Sequence, residues 1–436
     1  MDRLKEKYKL SRYNVFHRNG DVQYLWNTYS DALVKLDKNG QEYIRSFAGT
    51  ADKSFEFDLL KTNGFIVYEK LDELGRVCME EKQAYYATNA DEMVVAIVPG
   101  MGCNCRCSYC FQSTQASLER TGVMTPEVAI EVGKYICQQL NNNPNTKELF
   151  ITWFGGEPLL YLDIIEIISR IVIEYTQAQN IKYAAGIPTN GQLLDPAAFE
   201  KLQELQVTEI QITFDGMRDT HCVSKGVSAE DFDRVLNNLF YIAEKIRPLV
   251  RLNIPKNDLD EAIAITDFLL SQHNLLNKAF INFSYVCNYS QPREIAQKSY
   301  VDYMKNYLQW IDYFVDRYGV SHRPYPERIK QYCGRISVSN FCIGPRGELH
   351  RCLHCIGDKT KIIGDIWNGF FYNIADALFF SAVDSSLKKE CPHCSYLPIC
   401  MGACVKDRIK GYVRHDCESD KQLWIKLKLL SIGVKI

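Results

Sequence analysis

From about residue 92 onward the chain alternates short β-type runs with amphipathic helical stretches, and this alternation constrains the fold more than any other feature. Runs rich in β-branched and aromatic residues at 93–98, 148–154, 182–187, 209–214, 250–254 and 280–286 predict six strands. Between them, a helix opens at Thr125 with Pro126 in its first position and sets Val128, Val132, Ile136 and Leu140 on one face. Further helical patterns cover 161–179, 195–206, 229–246 and 258–272. Strands separated by helices pair in parallel through right-handed crossovers, which predicts an α/β open sheet or barrel. In such folds the chemistry gathers at the C-terminal ends of the strands. Here those ends carry Gly102 to Cys110, then Gly155 to Pro158, Pro188 to Gly191, and Asp215-Gly216.

Residues 1 to about 90 read differently. Runs at 13–17 and 22–26 flank Asn19-Gly20, a strong hairpin signal, and a further short strand is expected at 32–36 before Asn39-Gly40. Helical patterns follow around 55–61 and 72–85. A small three-stranded, helix-backed module offers an edge to which a partner peptide adds as a strand; a cap over the barrel explains the same pattern. After about residue 320 the alternation stops, and there is neither a longer repeat nor a low-complexity segment.

A chain of 436 residues suits two or three domains. With 51 Lys+Arg against 53 Asp+Glu, no basic excess is available to neutralise a phosphate backbone, so no nucleic-acid partner is expected. The most apolar stretch, 163–175, is interrupted by Glu166, Ser169, Arg170 and Glu174, so no membrane span is expected. The N-terminal MDRLKEKYKL has no apolar core behind its charges, so it does not read as a signal peptide, and a cytoplasmic location is expected. In a reducing compartment 17 cysteines are metal ligands, redox groups or small buried hydrophobes rather than disulfides. Cys78, Cys137, Cys222 and Cys287 stand alone and read as core residues. The others fall in two groups, between Cys103 and Cys110 and between Cys333 and Cys417.

In the first group Cys103, Cys107 and Cys110 form C-x3-C-x2-C. Three thiolates at these offsets can take three corners of one cuboidal iron–sulfur cluster and leave one iron open. Zinc is the alternative, but it usually takes four ligands and no fourth is local; Cys105 reads as a bystander. The stretch resembles the radical S-adenosylmethionine (SAM) enzymes. Their cysteine loop follows the first strand of a partial (β/α)6 TIM barrel and carries an aromatic residue before the third cysteine, where Tyr109 stands. The resemblance implies a [4Fe–4S] cluster whose open iron chelates the amino and carboxylate groups of SAM. One electron then cleaves the sulfonium to methionine and a 5′-deoxyadenosyl radical, which abstracts a substrate hydrogen. Gly155-Gly156-Glu157-Pro158 matches the family's GGEP-type motif for the methionine amino group: the glycines allow close backbone approach and Glu157 supplies an acceptor. Thr189-Asn190-Gly191 resembles the ribose-lining segment, and Asp215, Arg251 and Asn253 resemble positions near the cofactor. After Asp215-Gly216, relatives often continue toward His-Asp-x-x-Arg. This chain has His221-Cys222-Val223-Ser224-Lys225, so Lys225 is assigned no role.

The second group has thirteen residues between Cys333 and Gly347, four between Gly347 and Cys352, then Cys391-x2-Cys394-x5-Cys400-x3-Cys404 and, after twelve more residues, Cys417. It resembles the SPASM extension of radical SAM proteins, which binds two auxiliary [4Fe–4S] clusters. By motif position Cys333, Cys352 and Cys404 would serve the first, and Cys391, Cys394, Cys400 and Cys417 the second. Cys342 is the expected extra ligand to the first cluster, with Cys355 its competitor; if neither binds, a substrate thiolate could. A zinc ribbon on Cys391, Cys394, Cys400 and Cys404 is the alternative for this region.

The resemblance implies an α/β protein of three parts. A winged-helix-like α+β leader-recognition domain (RRE-like) would occupy 1–90, the radical SAM partial barrel 91–320, and the SPASM domain with two auxiliary clusters 321–436. Proteins of this kind mostly modify peptides, and many cross-link ribosomally made precursors (RiPPs) through thioether or carbon–carbon bonds. The implied activity is such a maturase, with SAM and three [4Fe–4S] clusters as cofactors and the precursor peptide and an external one-electron reductant as partners. The rivals are a formylglycine-forming, sulfatase-maturase-like enzyme and a non-catalytic iron–sulfur or zinc protein that binds peptides or passes electrons. No catalytic base is singled out, because sequence supplies no geometry.

Overall fold

Two chain reversals and a set of capped helices shape the N-terminal module. Its strands are β1 (Tyr8–Leu10), β2 (Asn14–Asn19), β3 (Val22–Asn27), β4 (Leu33–Leu36) and β5 (Ile66–Tyr68). β2, β3 and β4 form an antiparallel sheet in that order, with Gly20 at φ 60° in the tight turn, and β1 pairs antiparallel with β5. Helices Lys38–Ser46, Phe55–Thr62 and Glu73–Tyr86 complete the module. Asn39-Gly40 lies in the first turn of a helix, because Asp37 caps it by accepting the Gly40 N–H at 2.7 Å. Ile44 of that helix joins Leu25, Leu36, Phe57 and Leu60 in the module's core.

The computed structural model describes residues 6–52, 54–86, 91–114, 122–272, 274–287, 293–319, 326–330, 333, 339–370, 389–405 and 416–434. The expected boundaries near 90 and 320 fall at 87–90 and 320–325, outside the described residues.

The central sheet is mostly parallel. β6 (Glu92–Ile97), β7 (Glu148–Trp153), β8 (Lys182–Thr189), β9 (Val207–Phe214), β10 (Leu249–Leu252) and β11 (Phe280–Phe283) lie side by side in chain order, where six strands were expected. The sheet then runs past the boundary expected near 320. β12 (Phe341–Ile343) adds parallel to β6 on its free side, and β13 (Glu348–His350) and β14 (Gly364–Asp365) continue antiparallel. The cysteine-rich region is therefore built onto the same sheet. Thr125, Asp195, Ser228 and Asp258 each cap a crossover helix by accepting a backbone N–H, which contributes about 1 kcal/mol apiece. Between sheet and helices, Ile97, Ile151, Trp153, Ile187 and Ile212 pack with Val132, Ile136, Ile168, Val172 and Leu239 in one large core.

The N-terminal sheet packs on the C-terminal region. Trp26 of β3 meets Tyr396 edge-on at 6.0 Å and shares a cluster with Ile399, Ile425 and Leu429. Thr28 donates to the Ser395 carbonyl at 2.5 Å, and Arg12 donates to the Pro392 carbonyl. The helix Cys417–Leu430 closes this face, with Lys428 2.5 Å from Asp31. Among the described residues no helix is long and apolar enough to cross a membrane.

Candidate active site

One cavity of about 840 Å³ lies at the C-terminal ends of the parallel strands. It is lined by Cys103, Cys107, Tyr109 and Cys110 from the segment after β6, with Gly155, Gly156 and Glu157 after β7 and Thr189 and Asn190 at the end of β8. Arg251 and Asn253 border it, as do Cys333, Cys352 and Cys404. Phe111, Phe154, Tyr285, Tyr300, Tyr303 and Tyr307 also line it.

The glycines of the second loop are required by sterics. Gly155 has φ 142°, and a Cβ there would collide with the Gly100 carbonyl oxygen. A Cβ on Gly156 would collide with the Gly102 carbonyl oxygen. The loop is drawn in because Glu157 N–H donates to the Gly102 carbonyl at 2.8 Å. Pro158, itself buried, starts the 3-10 turn Pro158–Tyr161 and fixes the exit from the loop.

Glu157 is buried and straps two strand ends together. Its Oε1 accepts from Leu159 N–H at 3.1 Å and Thr189 Oγ1 at 2.7 Å, and Oε2 accepts from Asn190 N–H at 2.8 Å. A carboxylate has about four acceptor positions, so Oε2 keeps one for a further donor. Burial outweighs these three hydrogen bonds and pushes the carboxyl up to about 7. A cation brought to Oε2 would favour the ionised form of Glu157.

The loop after β8 grips the cysteine loop. Asn190 donates to Asn104 Oδ1 at 2.7 Å, Asn104 donates to Gln192 Oε1 at 2.6 Å, and Gln192 donates to the Cys105 sulfur at 3.4 Å. Cys105 sits between its neighbours: hydrogen bonding from it is the main reason the Cys103 thiol falls to about 6 and the Cys107 thiol also falls. Tyr109 donates to Asp215 Oδ1 at 2.9 Å and accepts from Asn253 at 3.4 Å, while Arg251 donates to Asn253 Oδ1 at 2.9 Å. Four of the expected cofactor positions thus form one polar chain from the cysteine loop to β10.

Sequence reasoning left out Lys225, Ser224, Asn104 and Gln192. Lys225 ends the helix Arg218–Lys225, lines the cavity, and puts its Nζ 3.4 Å from Asp215 Oδ1. Burial opposes its charge, but Asp215, then Tyr109 and the neighbouring cysteines, hold it above the ordinary ammonium range. The Lys225 carbonyl accepts the Arg106 N–H at 2.7 Å, and the Ser224 carbonyl accepts the Ser108 N–H at 3.2 Å. The only sequence hint was position: a basic residue nine places after Gly216, where relatives often carry Arg.

The remaining cysteines divide by location. Cys333 and Cys352 pack with Cys355, Tyr85 and Val405. Cys342 is fully buried on β12 in an adjoining cluster with Ala96, Val98, Met101, Leu353 and Ile356, while Cys355 packs in the cluster that Cys333 and Cys352 border. The reason is strand pairing: Cys342 is committed to β6 and β13, opposite Ala96 and His350. Cys391 and Cys394 lie against the N-terminal module, and the Cys394 thiol is raised by burial and by Cys400 and Cys417 nearby. Among the described residues no three His, Cys, Asp or Glu side chains close on a point that a single metal ion would fill; a four-iron cluster holds its thiolates further apart, at separate corners.

Residues 97–269 match the radical SAM superfamily model, and the cysteine loop and the glycine cradle both fall within that span. The chain carries a radical SAM domain. It is 33% identical over 169 residues to the radical SAM cyclopropyl synthase TigE of Paramaledivibacter caminithermalis, covering 36% of this chain and 35% of that protein. It is 25% identical over 246 residues to the Fe-coproporphyrin III synthase of Methanosarcina barkeri, covering 56% of this chain and 54% of that protein. The chain thus matches between a third and about half of these relatives' lengths. Among solved structures, native anSMEcpe with bound AdoMet superposes with a TM-score of 0.59 at 19% identity, covering 78% of this chain and 99% of that one. The same protein with AdoMet and the Cp18Cys peptide gives 0.55 at 17% identity, again over 78% and 99%. These likenesses establish a shared fold.

Proposed function

We propose that this chain is a radical SAM maturase that installs an intramolecular cross-link in a ribosomally made precursor peptide. The observation that carries the reading is that Cys103, Cys107 and Cys110 line the same cavity as Cys333, Cys352 and Cys404. Cys103, Cys107 and Cys110 would hold the SAM-binding [4Fe–4S] cluster, and the residues around them suit SAM. Glu157 keeps an acceptor position for its ammonium, Gly155 and Gly156 admit its backbone-like end, and Thr189 and Asn190 border the space beyond. When bound and reduced, this cofactor supplies a carbon radical that takes a hydrogen atom from substrate carbon.

Phe111, Phe154, Tyr285, Tyr303 and Tyr307 shield the reaction space from water and offer an apolar berth to a peptide side chain. Cys333, Cys352 and Cys404, with Cys355 beside them, would hold the first auxiliary cluster facing this space, where it can take the electron left after bond formation. Cys391, Cys394, Cys400 and Cys417 would hold the second, farther out, against the N-terminal module. That module, with the outer edges of β2 and β4 at the two sides of its sheet, would bind the leader. The TigE match supports a carbon–carbon bond, since that protein is a cyclopropyl synthase.

The test is anaerobic co-expression with a small peptide encoded beside the gene, followed by intact mass and fragmentation. Loss of two hydrogens, with fragmentation blocked between two residues, is expected. An unchanged mass with every such peptide, or oxidation of one residue to an aldehyde, overturns cross-linking.

A further inference from the structure

Lys225 is 3% exposed and Asp215 is fully buried, so this is an ion pair inside the protein, where desolvation makes charges costly. The pair is also directional. Lys225 lines the cavity with Cys103, Cys107 and Cys110, whereas Asp215 is not among the lining residues and is held by Tyr109 at 2.9 Å and Ser224 at 2.7 Å. Two backbone hydrogen bonds, Arg106 N–H to the Lys225 carbonyl and Ser108 N–H to the Ser224 carbonyl, fasten the end of helix Arg218–Lys225 to the peptide between the cysteines. Gly226, at φ 63°, then turns the chain away; a Cβ there would lie 3.1 Å from Arg106 Cβ. The result is a fixed ion pair against the cysteine loop, in which Lys225 is the member that lines the cavity.

We propose that Lys225 sets the reduction potential of the cluster held by Cys103, Cys107 and Cys110, making that cluster easier to reduce. This rests on reading those three cysteines as cluster ligands. Reduction adds one electron, delivered by the external reductant, and makes the cluster more negative by one charge. No bond forms or breaks and Lys225 stays protonated throughout. A nearby ammonium stabilises the more negative form, and Asp215, whose effect at Cys107 is the smaller of the two, opposes it; cluster potentials follow such local charge. Lys225 is thus a positioning residue of electrostatic kind.

The experiment is a potentiometric titration of the anaerobically reconstituted full chain without SAM, followed by EPR on the signal that a Cys103→Ala variant lacks. Lys225→Met is expected to move the midpoint to more negative potential and Asp215→Asn to more positive potential. The double variant, which removes both buried charges together, should return toward wild type, and Lys225→Arg should hold the wild-type value. An unmoved midpoint in Lys225→Met, or shifts of the same sign in both single variants, overturns the inference while leaving the cluster assignment standing. A wild-type chain that takes up iron but shows no Cys103-dependent [4Fe–4S] signal overturns the assignment and the inference together.

Discussion

Replacing Glu157 by Gln, with pH as the second variable, tests how the cavity receives an ammonium group. Burial raises the Glu157 carboxyl from 4.5 to about 7, so near neutrality the empty site holds it protonated about half of the time. An ammonium at Oε2 needs the ionised form. Binding therefore releases a proton, and the apparent Kd for SAM scales inversely with the ionised fraction. With the carboxyl at about 7, Kd is expected to tighten about eightfold between pH 6 and 7.5. Titration calorimetry in buffers of different ionisation enthalpy reads both the affinity and the released proton. Glu157→Gln should lose the slope and bind about tenfold or more weakly, the worth of one charge-assisted hydrogen bond. The sign for the ligand-free fold is the opposite. Its carboxyl keeps a proton that the unfolded chain loses between pH 4.5 and about 7, so stability is greatest below this window and falls by up to about 3 kcal/mol as pH rises through it. A wild-type Kd constant within twofold from pH 6 to 7.5, or a Glu157→Gln variant with the wild-type slope, would refute the reasoning.

Gly156→Ala forces apart the loops after β6 and β7, so SAM binding should be lost while circular dichroism stays that of wild type. Cys355→Ser should alter the EPR signature of the first auxiliary cluster, whereas Cys342→Ser should leave that signature in place and lower the thermal midpoint, because Cys342 is buried in β12. Substituting Cys103 should remove about four irons per chain from the reconstituted protein, measured by iron analysis. Trp26→Ala opens the contact between the N-terminal sheet and Tyr396, Ile425 and Leu429; a loss of about 3–5 kcal/mol is expected in denaturant titration, with the Cys391 and Cys394 thiols alkylated faster in the metal-free chain.

Much of the fold is local, and local features were legible. The strands β6 to β11 announce themselves because each buried run must be apolar and β-branched, and Thr125-Pro126 and Asp195 mark helix starts because a cap acts within three residues. The cysteine loop and the Gly155-Gly156-Glu157-Pro158 turn were legible for a similar reason: close backbone approach leaves a sequence trace that no other residues replace. Asn39-Gly40 shows the limit, since the same dipeptide serves a hairpin or a capped helix turn and only Asp37 and the packing of Ile44 decide it.

What the tertiary structure decided depends on residues far apart in the chain. β12 is three residues long, too short to carry a pattern, and its partner β6 lies about 250 residues upstream; this pairing sends Cys342 into the sheet and leaves Cys355 beside Cys333 and Cys352. The raised Glu157 carboxyl comes from burial beneath two strand ends, and the Lys225 ammonium finds its place only when helix Arg218–Lys225 docks on the cysteine loop. Sequence names the groups that can bind a cluster or a cofactor. Solvent exclusion and neighbouring charge, which set how those groups behave, arise only when distant segments are packed together.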